Sequence, residues 1–430
     1  MMPVSSKDRS LFTAGCVVLA AAIAMAATLP GRTYGLGLIT SPLLEEFPNL
    51  GELGYTQINL VATLIGSLFC LPCGWLVDKF GTKRVLAVVL PGLALAVLGM
   101  SQAREVMFLS VMITLTRGFG QSMLSVISLA MLGKWFRRDS AWPMAIYAVL
   151  MTMLMACGMG GISERLTHTN WRTAWTELGL VLLGIAPLTI WLAPGIRNDS
   201  GIDPSDLPAL PLDEIEHSTS PPSASLGAAL RHGSFWTFAL GVSLFALISS
   251  GVLLLQQSIL AECGLSKEVF FRVQIIGLVV GLIANLLGGW AMKRVPLAAL
   301  LSVSLWLLAG ALMAVPLLRT PVHAYLQGIV FGFSGGLLTV LFFAVWGEAF
   351  GARHLGRIQG VAQMMTVLAS ASGPLIVAWG HDHFGSYFPI LRSLAIVTAV
   401  LALIAPLVRV PSAVRGDWKT ESASPLLQKS

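Results

Sequence analysis

The chain has 430 residues, of which 55% are hydrophobic and only 11% are charged. A soluble domain carries about 25% charged residues, and a mean hydropathy of +0.79 indicates an apolar exterior. These values exclude almost any soluble enzyme and predict a polytopic membrane protein. The net charge is +6, but no basic run is interleaved with aromatic residues, so nucleic acid is not a predicted partner.

Hydropathy predicts twelve membrane-spanning helices, six on each side of a polar stretch. A spanning helix needs about 20 mainly apolar residues. The first segment also has features of a secretory signal, but eleven further spans favour an uncleaved helix. The predicted spans, numbered 1 to 12, cover residues 11–38, 55–78, 85–102, 106–132, 141–163, 173–193, 234–260, 268–291, 297–318, 322–349, 356–380 and 387–408.

We therefore expect an all-α membrane protein in four parts. Residues 1–193 form an N-terminal six-helix bundle and residues 234–410 a C-terminal one. Residues 194–233 are acidic and proline-rich, as a cytoplasmic linker should be, and residues 411–430 read as a disordered cytoplasmic tail. The dipeptide Gly-Trp ends both span 2 and span 8, which favours two pseudo-symmetric halves with a solute site between them at mid-depth.

The distribution of lysine and arginine predicts the orientation. Most of the 27 basic residues fall on one side of a model with an even number of spans, and such an excess marks the cytoplasmic face. We expect an integral membrane protein of a bacterial inner membrane or a plasma membrane, with both termini in the cytoplasm.

The loop after span 2 carries the most specific motif. It reads Gly-Trp-Leu-Val-Asp-Lys-Phe-Gly-Thr-Lys-Arg, with the motif positions filled by Gly74, Asp78, Gly81, Lys83 and Arg84. This loop resembles the G-x-L-x-D-r-x-G-x-K/R-x loop of the major facilitator superfamily, a group of twelve-helix secondary transporters. The resemblance implies two six-helix bundles and a loop that closes the cytoplasmic side when the transporter faces outward.

Other segments are similar to the same family. The loop between spans 4 and 5, the loop at 351–360 and the turn at 382–387 match its patterns, whereas span 5 lacks the proline of the antiporter motif. The exit of span 1, from Tyr34 to Phe47, resembles the monocarboxylate and oxalate/formate branch. Relatives that bind carboxylates often place a cation in span 8 or 11, where this chain has Asn285 and Gln363.

Two arginines within the spans are the main candidates for solute binding. Arg32 lies in the outer part of span 1 and Arg117 near the middle of span 4, and the family resemblance places both spans around the central cavity. An ionisable residue deep in a span is costly, and a guanidinium fork suits a carboxylate or phosphate. The alternatives are a snorkelling anchor for Arg32 and a structural arginine bonded to a neighbouring helix for Arg117.

Neutral polar residues complete the predicted site, although each of them could instead bond another helix. Glu348, near the cytoplasmic end of span 10, is the candidate for proton coupling; the alternative is a partner for Arg353 or Arg357. The full set of predicted solute-binding residues is Arg32, Tyr34, Gln57, Arg117, Gln121, Gln256, Gln257, Asn285 and Gln363.

No cofactor or metal is predicted. Four of the five cysteines lie in apolar runs, and the His-Asp-His sequence at 381–383 is explained by the family turn. No spaced catalytic or nucleotide-phosphate motif is present, so we expect no enzyme.

We predict a monomeric transporter in the lipid bilayer that moves a small, monocarboxylate-like organic anion by alternating access. The candidate coupling ion is a proton. Two alternatives stay open. One is an exporter of amphipathic drugs or metabolites on the same fold, and the other is a non-transporting receptor or assembly protein.

Overall fold

The computed structural model describes residues 6–136, 141–193 and 223–411, and within these residues the chain is helical with no strand. Apolar runs form helices here because a lipid environment leaves each backbone N–H and C=O to be bonded within its own segment. The first six spans are formed by Ser6–Ala26 with Leu29–Gly31 and Thr33–Gly37, Gly51–Leu68 with Cys70–Phe80, Thr82–Ser101, Val106–Thr116 with Arg117–Leu124 and Ser125–Trp135, Ala141–His168, and Trp171–Leu192. A short helix, Thr40–Glu46, follows span 1.

Six further spans complete the predicted set of twelve. They are formed by Gly233–Glu262, Lys267–Ala291, Leu297–Met313, Pro321–Phe350, Leu355–Phe384 and Phe388–Ile404. In the described residues, ten helices are long and apolar enough to cross a membrane. The remaining two spans are span 4, which is divided by a π-helical stretch, and span 9, which has 17 residues.

The predicted linker and tail lie largely outside the described residues. Residues 194–222 and 412–430 are not among them. The described end of the linker contains the helix Leu226–Arg231, and Ala224 donates a backbone hydrogen bond to the carbonyl of Phe350. The linker therefore meets the C-terminal bundle at the end of span 10.

Glycines set the close packing inside the C-terminal bundle. Gly332 and Gly336 of span 10 face Gly277 and Gly281 of span 8, and a methyl group added at Gly336 would lie 2.6 Å from the Cβ of Ala284. Small residues at such positions let helix backbones approach each other, which is the main source of helix association in lipid. Spans 8 and 10 consequently pack backbone against backbone.

The two bundles touch each other at one end of the molecule, which we call the Asp78 end. Here Asp78 of span 2 contacts the start of span 11, and the ring of Tyr147 in span 5 lies 5.1 Å from that of Phe343 in span 10. The described chain also ends on this side, since Val408 packs near Gly233. We call the opposite side the Glu46 end.

The loops of the N-terminal bundle are tied together at the Glu46 end. The carboxylate of Glu46 accepts hydrogen bonds from Trp171 Nε1 at 2.8 Å and from Arg172 Nε at 2.7 Å. Arg172 also donates to the backbone carbonyls of Ser101 and Ala103. One arginine thus joins the loops that follow spans 1, 3 and 5.

Replacing Glu46 by glutamine is expected to lower the stability of the purified protein slightly. Its bond to Arg172 holds the pKa of the Glu46 carboxyl below its usual range, so the stabilisation is complete at neutral pH and is lost as the pH falls below about 4. The pair is partly exposed, so the loss should be under about 1 kcal/mol. Thermal unfolding between pH 3 and pH 7 measures it; Glu45→Gln is the matched control. A difference that grows on acidification would contradict the assignment.

Candidate functional site

Arg117 lies at the start of a π-helical stretch, Arg117–Leu124, in the middle of span 4. Such wider turns inside α-helices are frequent at functional sites. Span 2 approaches this turn closely because Gly66 has no side chain: a methyl group there would lie 2.8 Å from the Cβ of Arg117. The close approach brings the guanidinium within reach of spans 1 and 2.

The Arg117 guanidinium is bonded on three sides. Nη1 donates to Thr33 Oγ1 of span 1 at 3.0 Å and to Gln121 Oε1 at 2.9 Å, and Nη2 donates to Asn59 Oδ1 of span 2 at 2.9 Å. The residue is only 2% exposed. In this conformation Arg117 joins three helices and contributes positive charge, while its third nitrogen, Nε, is buried without a partner in the described residues.

Arg32 has a different environment. Its Nε donates to Thr28 Oγ1 at 2.9 Å, and its Nη2 donates to Ser125 Oγ of span 4 at 3.1 Å and to Met25 Sδ at 3.2 Å. Nη1 bonds to no residue in the described ranges, and the side chain is partly exposed. Met25 precedes Arg32 by seven residues, or two helical turns. The side chain therefore points away from the Glu46 end, opposite to the direction of a snorkelling anchor.

One hydrogen bond of Arg32 and one of Tyr34 end on a sulfur atom. Met25 Sδ accepts from Arg32, and Met155 Sδ of span 5 accepts from the hydroxyl of Tyr34 at 3.3 Å. A thioether sulfur is a much weaker acceptor than a carboxylate oxygen. An anion that reaches these donors can displace the sulfurs at little cost.

Neither arginine has an acidic partner among the described residues, since the ion pairs found there involve other groups. Thr33, which bonds Arg117, directly follows Arg32 in the chain. Two positive charges thus lie at the contact of spans 1 and 4 without a negative charge to balance them. This arrangement, which we call the arginine site, is electrostatically suited to an anion.

A second polar contact continues from the arginine site towards the Asp78 end. One turn below Ser125, Ser128 Oγ donates to the carbonyl of Ala21 at 2.7 Å and also lies within hydrogen-bond distance, 2.8 Å, of the hydroxyl of Tyr147. Tyr147 is fully buried, and its ring meets Phe343 of span 10 edge to face. On the side of the Asp78 end, the arginine site is therefore followed by a contact between the two bundles.

The other predicted site residues are spread over several places. Gln121 joins Arg117, but Gln57 is exposed on span 2. The following positions show no contact to either arginine: Gln256, buried with Oε1 unbonded; Gln257, exposed beside it; Asn285, buried with Oδ1 unbonded; and Gln363, buried on span 11. Glu348 is half-buried in the last turn of span 10, at the Asp78 end.

The motif of the loop after span 2 closes the Asp78 end. The side chain of Asp78 is 4% exposed, and its two oxygens accept the backbone N–H groups of Gly356 and Arg357, each at 2.9 Å. These N–H groups begin span 11, where a helix favours negative charge. Lys134 Nζ of span 4 lies 2.9 Å from Asp78 Oδ1. We call these four residues the Asp78 clamp.

The glycines of the motif make the clamp possible. Gly81 adopts a φ of +81°, which L-residues with a side chain rarely adopt, and it turns the chain from span 2 into span 3. Gly356 has no room for a side chain, because an added methyl group would lie 2.6 Å from the carbonyl oxygen of Gly74. Lys83 and Arg84 follow in the first turn of span 3, with Arg84 exposed.

A cavity of about 640 Å³ opens at the Glu46 end, away from the arginine site. It lies between the loops after spans 1 and 5 and includes no arginine. Its lining residues are Leu38, Pro42, Glu45, Glu46, Leu166, Thr169, Asn170 and Trp171. Two carboxylates in its wall make it unsuited to an anion, so it is not the predicted solute site.

The family profile of the Major Facilitator Superfamily matches residues 11–374. The chain belongs to this superfamily. Members of the family are transporters and not enzymes. The Asp78 clamp and the twelve spans therefore belong to a membrane transporter, as the motif predicted.

Two curated superfamily relatives are monocarboxylate transporters. The chain is 24% identical to monocarboxylate transporter 12-B of Danio rerio, over 79% of this chain and 76% of the relative. It is 25% identical to monocarboxylate transporter 13 of Bos taurus, over 83% and 80% respectively.

Solved structures show the same fold. FucP in its outward conformation has a TM-score of 0.66 at 14% identity, over 91% of this chain and 98% of FucP. The human organic anion transporter MFSD10 has a TM-score of 0.60 at 16% identity, over 94% and 99%. The likeness to these structures confirms the predicted all-α major facilitator fold.

Several residues of the arginine site were missed in the sequence. Met25, Thr28 and Ser125 hold Arg32, and Ser128 connects to Tyr147. One signal was present: the polar residues 121, 125 and 128 of span 4 follow a spacing of four and three, which places them on one helix face. The methionine acceptors carry no such signal, because methionine is common throughout apolar helices.

Proposed function

We propose that this transporter moves a small, monocarboxylate-like organic anion and that Arg32 is its principal contact. The observation that carries the proposal is the arginine site: two cations without an acidic partner in the described residues. The unbonded Nη1 belongs to the partly exposed Arg32, whereas the unbonded Nε of Arg117 is buried. A buried charge is normally paired or neutralised. An anionic solute would supply the missing negative charge during transport.

The two arginines have different tasks in this proposal. Arg32 offers Nη1 directly and can exchange the sulfur of Met25 for a carboxylate oxygen, which forms the stronger, charge-assisted bond. Arg117 is held by Thr33, Gln121 and Asn59 and adds to the positive potential. Tyr34, 42% exposed and bonded only to a sulfur, orients the solute from the same span.

Transport in this proposal proceeds by alternating access, with the Asp78 end facing the cytoplasm together with both termini. The monocarboxylate transporters among the relatives support the solute class, and MFSD10 is by name an organic anion transporter. Glu348 is the proposed proton-coupling residue, and the protein acts as a monomer in a bacterial inner membrane or a plasma membrane.

Uptake into proteoliposomes tests the solute class. Purified protein is reconstituted with an inward proton gradient and offered lactate, pyruvate, a neutral sugar and a quaternary amine, each radiolabelled. We expect saturable uptake of at least one monocarboxylate and none of the amine. Uptake of a neutral or cationic solute in preference to every anion would overturn the proposal, and competition by many dissimilar lipophilic compounds would favour an exporter.

A further inference from the structure

Gln359 of span 11 is fully buried, and neither atom of its side-chain amide has a hydrogen-bond partner in the described residues. Other buried residues there leave a single side-chain atom unbonded, whereas Gln359 leaves both its donor and its acceptor. A buried amide of this kind has lost its hydrogen bonds to water and has gained none in the protein, which raises the free energy of this conformation. Its position explains why the cost is tolerated.

The first two turns of span 11 are wedged into the N-terminal bundle. Gly356 and Gly360, four residues apart, face the carbonyls of Gly74 and Cys70 in span 2. Leu355 packs directly against Gly133 of span 4. Gln359 follows Leu355 by four residues and therefore lies on the same helix face, one turn deeper in the contact between the bundles.

Gln327 of span 10 provides a useful contrast. It is also buried, but its Nε2 donates to the carbonyl of Ala311 at 3.3 Å. That bond lies within the C-terminal bundle and does not depend on how the two bundles meet. The amide of Gln359 lies instead on the face of span 11 that enters the N-terminal bundle.

We propose that Gln359 favours opening of the Asp78 end and so sets the balance between the two states of the transport cycle. Its unbonded amide raises the free energy only while span 11 is wedged against span 4, and separation of the bundles exposes it to water. The Asp78 clamp acts in the opposite direction by holding the start of span 11. The inference goes beyond the proposed function and does not depend on which solute Arg32 binds.

The test measures opening directly, without any solute. The five native cysteines are first replaced. A reporter cysteine, Leu355→Cys, is then introduced where the start of span 11 packs against span 4. Its rate of reaction with a water-soluble maleimide is measured in purified protein. Adding Gln359→Leu removes the unbonded amide, so we expect labelling about tenfold slower. Gln359→Met should act alike, and Gln359→Glu should accelerate labelling.

Gln327→Leu is the matched control, because it removes a buried amide that has a partner; we expect lower thermal stability and little change in labelling rate. If Gln359→Leu and Gln359→Met fold but label as fast as the parent or faster, the amide stabilises the closed state and the proposal is wrong. Loss of anion uptake is not needed for either outcome, so the proposed function is tested separately.

Discussion

Replacing Arg32 by glutamine is expected to reduce kcat/KM for anion uptake by about 10- to 100-fold. Arg32 offers a cationic nitrogen, Nη1, that no described residue bonds, whereas the unbonded Nε of Arg117 is buried. A charge-assisted hydrogen bond is worth about 1.5–3 kcal/mol, which corresponds to this range. Because the residue is partly exposed and is held by neutral acceptors, two hydroxyls and a sulfur, the thermal stability of the protein should change little. Initial uptake rates at several anion concentrations measure the effect.

Replacing Arg117 by glutamine should distinguish the role of Arg117 from that of Arg32. Arg117 joins spans 1, 2 and 4, so its loss should lower both transport and the temperature of unfolding. Arg392→Gln is the matched control, since Arg392 is exposed on span 12, and it should transport normally. Wild-type anion uptake by Arg32→Gln would contradict the assignment of Arg32 as the principal contact.

Replacing Asp78 by asparagine is expected to open the Asp78 end. The carboxylate accepts two backbone N–H groups at the start of span 11 and pairs with Lys134. Asparagine keeps one acceptor oxygen but loses the charge, at a cost of about 2–3 kcal/mol to the closed state. This corresponds to about a 30- to 150-fold shift of the equilibrium. Maleimide labelling of the Leu355→Cys reporter should accelerate accordingly.

Asp382→Asn serves as the control for this experiment, because Asp382 is 84% exposed and lies at the far end of span 11. It should leave labelling unchanged. The double variant Asp78→Asn with Gln359→Leu should be labelled at a rate between those of the two single variants. Asp78→Asn favours opening of the Asp78 end, whereas Gln359→Leu favours its closure. Unchanged labelling in Asp78→Asn would mean that the clamp does not hold the bundles together.

Much of the architecture could be predicted because each span is a local property of the chain. A run of about 20 apolar residues forms a membrane helix wherever it occurs. Gly81 needs positive φ, and Asp78 must find positive partners, so the motif could be interpreted before its contacts were known. The interior of span 4 was harder to predict. Its α-helix changes at Arg117 to a π-helical stretch, and hydropathy does not distinguish these two helix types.

The site depended on contacts between segments far apart in the chain. The sequence alone indicated a membrane transporter with two arginines in its spans and few acids to balance them. Only the tertiary structure decided that Arg117 is buried and bonded to Thr33 and Asn59, while Arg32 is partly exposed with Nη1 unbonded. It also decided that Asp78 meets residues 278 and 279 positions later. Hydropathy follows from composition within one helix, whereas the pairing of a buried polar group depends on which helix faces it.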